Sequence, residues 1–397
     1  MAWARDEMID GRRKTGRALR WGMIGGGQGS QIGYIHRSAA LRDRYFDLQA
    51  GALDLNPERG RSFAAELGIA HDRAYADYGA LLAGEAARPD GVEVVTIATP
   101  NNTHYPITRA ALQAGLHVIC EKPLTFTSAE AEELRNIAQL RGLIVGVTYG
   151  YGFYQTIEQA RALVASGALG KVRLVNMTFA HGFHSAPVED LNPAIRWRVD
   201  PTFAGPSYVL GDLATHPLYL SQVICPDLKI RRLLCARQSF VASRAPLEDN
   251  AMVLMDYGCG AFGTLWTSAV NAGAMHSQKL RIVGEQASLE WWDEFPNQLR
   301  LEVQGQPAQV LERGMPYLHP EALADDRIGG GHPEGLFESW ATMYERIACA
   351  IEAAQQGDHA RLAGIRYPDV SAGIAGVRWV EHCVRSADKG GVWIDYR

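Results

Sequence analysis

The sequence lacks the cysteine patterns that mark disulfide scaffolds and zinc sites. It has six cysteines in 397 residues, far apart along the chain and without a Cys-x-x-Cys pair. The residues around them are largely apolar, which is typical of buried thiols in a reducing compartment. We therefore expect a cytoplasmic protein that holds no metal.

An excess of positive charge and long apolar runs are also missing. The chain has 39 basic and 44 acidic residues, a net charge of −5, which predicts no basic surface for nucleic acid. No run reaches the ~18 apolar residues of a membrane span. The first 20 residues are basic but have no apolar core like that of a secretory signal. We expect residues 1–19 to form an N-terminal arm and the ligand to be a small molecule.

The chain from residue 20 to residue 148 alternates between strand-like and helix-like segments. Strands are predicted at 20–24, 48–53, 92–98 and 142–148. A helix is predicted over 56–67, because Asn56 can cap it and Pro57 suits its first position. This alternation predicts an α/β fold with a doubly wound parallel sheet, a Rossmann domain over residues 20–148.

The pattern changes after residue 148. The segment 171–179 alternates between apolar and polar residues like a half-buried strand. Further strands are predicted at 230–236, 251–257, 262–269, 279–283, 288–292 and 299–303, with few helices between them. Residues 149–397 are therefore predicted to form an α+β domain for substrate binding and oligomerisation, with an open, mostly antiparallel sheet.

A glycine-rich turn, residues 25–30, follows the first strand and precedes a helix-like stretch. That context is the one in which the dinucleotide fingerprint occurs. Gly25 permits a tight turn, Gly27 lets backbone amides approach a pyrophosphate, and the small Ser30 takes the place of the third glycine. The alternative is an ordinary structural loop.

Asp54 ends the second predicted strand. A carboxylate there accepts hydrogen bonds from ribose hydroxyls and repels a 2′-phosphate, so it favours NAD over NADP. The separation from Gly27 exceeds the usual ~20 residues, which an insertion around 41–47 would explain. The alternative is a solvent-exposed aspartate at a turn.

Two further segments follow predicted parallel strands. The loop 99–104 comes after the strand at 92–98, where loops line a cofactor crevice. Glu121-Lys122-Pro123 follows a short apolar run, and a positioned lysine can hold a substrate hydroxyl and promote loss of its proton. The alternatives are a simple Pro-Asn turn and a surface lysine.

Asp212 and His216 are four residues apart. If a helix begins at Gly211, both side chains lie on one face. Imidazole titrates near neutrality and can accept a hydroxyl proton. The alternatives are a capping aspartate and a core histidine. Arg198 and His332 could each contact substrate; Arg198 could instead pair with a surface acid, and His332 could only stabilise its turn.

Together these motifs resemble the Gfo/Idh/MocA family of oxidoreductases over roughly residues 20–390. The matching stretches are 25–30, 99–104, 121–123 and 211–216. Residues 32–33, 36–37, 197–201 and 331–335 are similar to the NAD-dependent inositol and L-glucose dehydrogenase branch.

The resemblance implies roles for specific residues. The catalytic group would be Lys122, Asp212 and His216. The NAD-binding residues would be Gly25, Gly27, Gln28, Gly29, Ser30, Asp54, Thr99, Pro100, Asn102, His104, Glu121 and Lys122. The substrate-binding residues would be Lys122, Tyr149, Tyr151, Arg198, Asp212, His216 and His332. Tyr149-Gly150 departs from the polar His-Asn of that branch, which indicates a different substrate.

The implied activity is oxidation of a ring hydroxyl of a cyclic polyol, pyranose or glycoside by an NAD-dependent dehydrogenase. Relatives form homo-dimers or homo-tetramers, and we expect the same here. One alternative is a glycoside-processing enzyme that retains NAD and oxidises the ring transiently. Another is a catalytically silent NAD-binding regulator, which the presence of Lys122, Asp212 and His216 disfavours.

Overall fold

The apolar runs of the first part of the chain form one parallel sheet. The computed structural model describes residues 13–397, so most of the predicted N-terminal arm lies outside the described residues. Five strands are ordered β2-β1-β3-β4-β5, and every neighbouring pair is parallel. They are β1 Leu19–Gly25, β2 Phe46–Ala52, β3 Val94–Ala98, β4 His117–Cys120 and β5 Val145–Val147.

Helices connect these strands, and their ends carry capping residues. The helices are α1 Gln31–Arg42, α2 Pro57–Glu66, α3 Tyr78–Ala86, α4 His104–Gln113 and α5 Ser128–Arg141. Asn56 caps α2 by accepting from the amides of Glu58 and Arg59, as predicted. Thr127 and Glu130 form a reciprocal capping box at the start of α5.

The alternating segments after residue 170 form a nine-stranded sheet ordered β13-β12-β11-β10-β6-β9-β8-β7-β14. All neighbouring pairs are antiparallel except β6 and β9. The strands are β6 Val172–Ala180, β7 Arg232–Gln238, β8 Asn250–Asp256, β9 Phe262–Ser268, β10 Gln278–Gly284, β11 Ala287–Trp292, β12 Gln298–Val303, β13 Gln309–Glu312 and β14 Ile394–Asp395. This sheet and the parallel sheet confirm the predicted fold class.

Five longer helices accompany the second half of the chain: α6 Gln155–Ala165, α7 Thr215–Ile224, α8 Leu336–Gln355, α9 His359–Gly364 and α10 Val370–Asp388. Short helical turns occur at Pro193–Arg196, Pro201–Ala204 and Pro320–Leu323. Among residues 13–397, no helix combines the length and apolar character needed to cross a membrane.

The described residues divide into two units, one of 13–150 with Leu336–Ala375 and one of Tyr151–Gly335 with Gly376–Arg397. The sequence-based domain boundary at 148 stays a prediction. The structure adds that α8 belongs with the parallel sheet, which the sequence did not indicate. The physical reason is a buried hydrogen bond between α8 and α1, in which the Tyr344 hydroxyl lies 2.7 Å from His36 Nδ1.

Candidate active site

The glycine turn after β1 allows a very close approach of backbone segments. Gly25 has a φ of +76°, and a Cβ there would come within 2.4 Å of the carbonyl oxygen of Ala98. A Cβ at Gly27 would lie 2.3 Å from the carbonyl oxygen of Leu53. Both positions therefore require glycine, and the turn leaves a cradle without side chains in front of α1.

Ser30 occupies the third position of the fingerprint, but the close packing of the helix on the turn is made by Gly33. Ser30 instead caps α1, accepting a hydrogen bond from the Gly33 amide at 3.1 Å. A Cβ at Gly33 would lie 2.1 Å from the carbonyl oxygen of Gly26. Gly33 is thus where the helix packs onto the turn, and its place three residues after Ser30 was visible in the sequence.

Asp54 follows β2 and faces the cradle, since a Cβ at Gly27 would lie 3.6 Å from its carboxylate. Arg59 donates to both carboxylate oxygens, at 2.6 and 2.8 Å, and the Asn56 amide donates at 2.8 Å. Hydrogen bonding by Arg59 holds the pKa of Asp54 below its usual range. The carboxylate is therefore ionised at neutral pH, as recognition of ribose hydroxyls requires.

The remaining predicted cofactor contacts of this unit lie at the turn and after β3. Gln28 and Gly29 are exposed at the tip of the turn, and Thr99 and Pro100 are half-buried. The side-chain oxygen of Asn102 is buried without a hydrogen-bond partner among the described residues. A turn with close backbone approach at its glycines, a capped helix N-terminus and this available acceptor fit a dinucleotide.

His104 fixes the position of the segment that carries Lys122. Its Nδ1 lies 2.7 Å from the carbonyl oxygen of Pro123 and its Nε2 lies 2.9 Å from that of Thr99. Burial lowers the pKa of His104, and in the neutral ring only one of the two nitrogens carries a proton that can be donated to a carbonyl oxygen. A cofactor contact by His104 stays a prediction, whereas its contact with Pro123 is direct.

A chain of buried hydrogen bonds ends on Glu121, immediately before Lys122. The Tyr344 hydroxyl lies 2.7 Å from His36 Nδ1, and His36 Nε2 donates to the Glu121 carboxylate at 3.1 Å. Thr148 donates to the same oxygen at 2.6 Å. Burial raises the pKa of Glu121, but the His36 hydrogen bond and the charges of His36 and Lys122 outweigh it and leave the pKa lowered. The sequence did not indicate this role for His36.

Asp212 and His216 lie in the other unit, and the local helix differs from the predicted one. Leu210–Ala214 forms a π-helical turn, and the α-helix α7 begins only at Thr215. A helical turn thus begins at Leu210, next to Gly211, but its first five residues are π-helical and not α-helical. The buried Glu248 carboxylate explains where the turn sits, because it accepts from the amides of Tyr208 and Leu210, each at 3.1 Å. Such π turns are frequent at functional sites.

Arg198 pairs with Asp212. The distance from Arg198 Nε to Asp212 Oδ2 is 3.4 Å, and both side chains are partly exposed. The guanidinium also lies over the ring of Trp197, 4.5 Å from its centre. Arg198 thus forms an ion pair with the predicted catalytic aspartate, and its contact with substrate stays a prediction.

Aromatic rings surround His216. The Tyr151 ring lies 5.0 Å from the His216 ring at an interplanar angle of 85°, and the Phe179 ring lies 6.0 Å away. Tyr151 and Phe179 also contact His276, with ring centres 5.8 and 4.5 Å from it. His276 was not identified from the sequence, because it is 60 residues from His216 along the chain.

His181 and His184 follow β6 in the same unit and were also missed. Their rings are 5.2 Å apart, and His184 is hydrogen-bonded to the Tyr208 hydroxyl. Burial lowers the pKa of His181 to about 4 and that of His184 below its ordinary value. Both rings are therefore neutral near pH 7. The closely spaced histidines at 181 and 184 were a signal that the sequence did offer.

Two further predicted substrate residues are Tyr149 and His332. Tyr149 is buried, with 1% of its surface exposed. His332 is exposed, and its carbonyl oxygen accepts from Arg313 at 2.7 Å. Their contact with substrate stays a prediction. Within residues 13–397, no group of three or more His, Cys, Asp or Glu side chains could hold a metal ion.

The structure assigns the predicted catalytic residues to both units. Lys122 belongs to the unit of the parallel sheet, and Asp212 and His216 belong to the other. Asp212 lies in the π-helical turn that precedes α7, and His216 lies in the first turn of α7. Arg198 contacts Asp212, and Tyr151 contacts His216. A shared role with Lys122 stays a prediction.

Comparison with known proteins identifies the family to which this chain belongs. An uncharacterized oxidoreductase of Bacillus subtilis, YfiI, is 54% identical over 98% of this chain and 100% of its own length. The crystal structure of an inositol dehydrogenase homolog from Azotobacter vinelandii with NAD⁺ is 64% identical, covers 98% of this chain and 100% of its own, and has a TM-score of 0.97. The structure of the inositol dehydrogenase homolog from the same organism with NADH and myo-inositol is 63% identical, covers 97% and 100%, and has a TM-score of 0.94.

Two family models cover most of the chain. Residues 19–149 match the NAD-binding Rossmann fold of an oxidoreductase family, and residues 161–395 match its C-terminal alpha/beta domain. Levoglucosan dehydrogenase shares the fold, with a TM-score of 0.80 at 22% identity. The chain belongs to the Gfo/Idh/MocA family and is an NAD-dependent oxidoreductase, which confirms the predicted family, enzyme class and cofactor.

Proposed function

We propose that this oxidoreductase oxidises one ring hydroxyl of an uncharged cyclic polyol or sugar, with an inositol as the first candidate. The carrying observation is the charge balance around Asp212. Arg198 pairs with this carboxylate, and burial keeps His181 and His184 neutral. Within the unit of His216, these four groups offer hydrogen bonds to hydroxyls without a surplus of positive charge, so among the residues proposed for the site Lys122 of the other unit would be the one cation left to meet a phosphate or carboxylate substrate.

The chemistry divides between the residues as follows. NAD, when bound, accepts the hydride from the carbinol carbon. Lys122 donates a hydrogen bond to the reacting oxygen and stabilises negative charge on it. His216 accepts the hydroxyl proton. Asp212, which is paired with Arg198, orients the His216 ring. The carbinol becomes a ketone, or a lactone if the hydroxyl is anomeric.

Support for an inositol comes from the relative that is 63% identical and whose crystal contains NADH and myo-inositol. The inositol and L-glucose dehydrogenase branch carries polar residues at the positions of Tyr149-Gly150. This difference supports a substrate that differs from the substrates of that branch at one or more ring positions. Inositol isomers, hexoses and glycosides should therefore be assayed together by NADH absorbance. Turnover of phosphorylated or carboxylated sugars in preference to neutral ones would contradict the proposal.

The same panel of substrates distinguishes the proposed dehydrogenase from the glycoside-processing alternative. An enzyme that retains NAD would release an aglycone or an altered glycoside without accumulating NADH. Product analysis of the glycoside reactions by chromatography, alongside the absorbance assay, distinguishes the two outcomes. Binding of NAD without any turnover would instead favour the regulatory alternative. The homo-oligomeric state and the cytoplasmic location stay predictions.

Replacement of Lys122 tests its role in the chemical step. We expect Lys122→Ala to lower turnover by at least about 10²-fold, because the variant loses a charge beside the reacting oxygen. The affinity for NAD should change little, since the glycine turn and Asp54 hold the adenosine half. Turnover and NAD fluorescence titration measure the two effects, and Lys171→Ala, at an exposed position, is the control. Loss of NAD binding with turnover retained per bound enzyme would contradict the role.

A further inference from the structure

The first amides of the π-helical turn before α7 donate their hydrogen bonds to side chains. The amides of Tyr208 and Leu210 donate to one oxygen of the Glu248 carboxylate, Oε1, each at 3.1 Å. The amide of Gly211 donates to the Ser207 hydroxyl oxygen at 3.0 Å. The first amides of a helix have no partner within the helix, so Glu248 and Ser207 supply the missing acceptors here.

The two acceptors are also bound to each other. The Ser207 hydroxyl donates to the same Glu248 oxygen at 2.8 Å, and the side chain of Arg237 lies 3.5 Å from the other oxygen, Oε2. Ser207 is 4% exposed and Glu248 is 1% exposed, so bulk water does not compete for these hydrogen bonds. Oε1 accepts all of its hydrogen bonds whether or not Oε2 carries a proton. The arrangement therefore does not depend on the charge of Glu248.

The large sheet fixes the position of Glu248. This residue comes two positions before β8, and its backbone carbonyl oxygen accepts from the Val209 amide at 3.4 Å. The next residue, Asp249, is buried and accepts from the amides of Phe240 and Val241, each at 2.9 Å. The acceptor is thus attached to the end of a strand on both sides of its own side chain, and the π turn is built onto it.

The turn determines how Asp212 is oriented relative to His216. A π turn closes its hydrogen bond over one residue more than an α turn, so a change between the two rotates the residues inside the turn relative to those after it. Asp212 lies within the π turn, and His216 lies in the first turn of α7. Arg198 pairs with the Asp212 carboxylate at 3.4 Å in this geometry. Relaxation of the turn would therefore change both relations of Asp212.

We propose that Glu248 and Ser207 are positioning residues for the proton transfer, because they hold the π turn that orients Asp212. The inference rests on the proposed function and adds the residues that preorganise its acid–base pair. Glu248 and Ser207 act through Asp212 and do not contact substrate. A displacement of a reacting group by ~1 Å can cost about 10²-fold in rate, so small movements of the turn are measurable in kcat.

Ser207→Ala is the decisive variant, because it removes one hydroxyl and leaves the Glu248 acceptor in place. We expect kcat to fall by at least about tenfold. The affinity for NAD should stay within about threefold of the wild-type value, since the glycine turn belongs to the other unit. Steady-state kinetics with the best neutral polyol of the panel and NAD fluorescence titration measure the two effects.

Ser221→Ala is the matched control. Ser221 is buried to a similar degree, with 5% of its surface exposed, and its hydroxyl donates to the Leu218 carbonyl oxygen at 2.7 Å within α7. Its loss removes a buried hydroxyl from the same unit without touching the π turn, so kcat should be retained. An equal decrease of kcat in Ser207→Ala and Ser221→Ala would overturn the inference.

Glu248 is tested by a pair of substitutions. Glu248→Gln keeps an oxygen that can accept from the turn, whereas Glu248→Ala keeps none. Both variants lose the ion pair with Arg237 and should melt at a lower temperature than wild type. We expect Glu248→Gln to retain kcat within about threefold and Glu248→Ala to lose at least about tenfold. Equal loss in both would show that the charge acts and not the acceptor, which contradicts the inference.

A double-variant comparison shows whether the network acts through Asp212. Effects of residues that act through one group are not additive. Ser207→Ala should therefore lower kcat by at most about threefold when it is added to Asp212→Asn. A role that is merely structural would lower kcat by the same factor in both backgrounds, and that result would overturn the inference.

The two proposals fail in different ways. If wild type oxidises no neutral polyol or sugar, the proposed function is wrong and the inference falls with it. If wild type is active and Asp212→Asn lowers kcat, but Ser207→Ala and Glu248→Ala keep the wild-type kcat, the inference alone is wrong. If thermal melts show that Glu248→Ala does not fold, Ser207→Ala and the double variant still decide the question.

Discussion

At the scale of single residues, the two units use charge in different ways. Asp54 is held ionised by Arg59, which donates to both of its oxygens. Asp212 is paired with Arg198, and His181 and His184 stay neutral through burial. The first arrangement suits recognition of ribose hydroxyls, and the second suits hydroxyl groups on an uncharged ring.

We expect Asp54 to determine the choice between NAD and NADP. The ionised carboxylate should favour NAD over NADP by at least about tenfold, or ~1.4 kcal/mol, because a 2′-phosphate would meet a like charge. Asp54→Asn removes that charge and leaves Arg59 free to meet a phosphate, so the efficiency with NADP should rise. Steady-state kinetics with both cofactors test this, with the exposed Asp47→Asn as the control. Equal use of NADP by wild type would refute the role of Asp54.

We expect the proposed proton acceptor, His216, to give the reaction its pH dependence. A base must be deprotonated to take the hydroxyl proton, so the rate of oxidation should rise with pH through the neutral range. His216→Ala should lower turnover by roughly 10²–10⁴-fold, and Asp212→Asn should cost less. Turnover against pH for folded variants measures both effects. An unchanged rate and profile in His216→Ala would make it a core histidine.

At the scale of helices and strands, the close packing of α1 on the glycine turn stands out. The turn and helix come so close that a Cβ at Gly33 would lie 2.1 Å from the Gly26 carbonyl oxygen. Arg37 of the same helix donates to that oxygen at 2.5 Å. The N-terminus of α1 is therefore held in place by close backbone contact and by the Arg37 hydrogen bond.

Gly33→Ala tests this contact. The added methyl group forces α1 away from the turn, which should cost about 1–3 kcal/mol of stability, as overpacking of a tight site does. NAD affinity should also fall, because the helix N-terminus moves. Thermal melts and NAD titration measure the two changes. Gly364→Ala is the control, since a Cβ there meets no atom within 4 Å; an equal effect in both variants would contradict the argument.

At the scale of the whole molecule, two buried histidines contribute to the dependence of stability on pH. Burial lowers the pKa of His117 to about 4 and that of His181 to about 4. The unfolded chain therefore binds protons near the ordinary value of ~6.5, whereas the folded chain does not until near 4. The stability associated with these groups is present above pH ~6.5 and is lost as the pH falls toward 4. Each lowered pKa corresponds to about 3 kcal/mol over that window.

His117→Asn separates one of these contributions. His117 Nδ1 accepts from the Ile144 amide at 2.9 Å, and an asparagine oxygen can take over that role. The variant cannot bind a proton, so its melting temperature should fall less than that of wild type between pH 6.5 and 4.5. A parallel decrease in both proteins would show that His117 does not contribute. His359→Asn, in an exposed position, is the control.

The sequence by itself determined the parallel sheet and the positions of the glycine turn, Asp54 and Lys122 after three of its strands. These features depend on signals between near neighbours, such as apolar strands, turn glycines and the Asn56 cap, so they can be read along the chain. The helices α3 and α5 and the edge strands β13 and β14 were not predicted.

Only the tertiary structure decided the rest. Arg198 with Asp212, His36 with Tyr344, and His276 with Asp293 join residues between 14 and 308 positions apart. The first pair depends on loop packing, the second on a helix that joins the parallel sheet from residue 336 onward, and the third on strand register. The π turn at Asp212 is set by the buried Glu248, 36 residues later. None of these contacts leaves a periodic or local pattern, because each is fixed by the packing of distant segments and not by the conformation of its own.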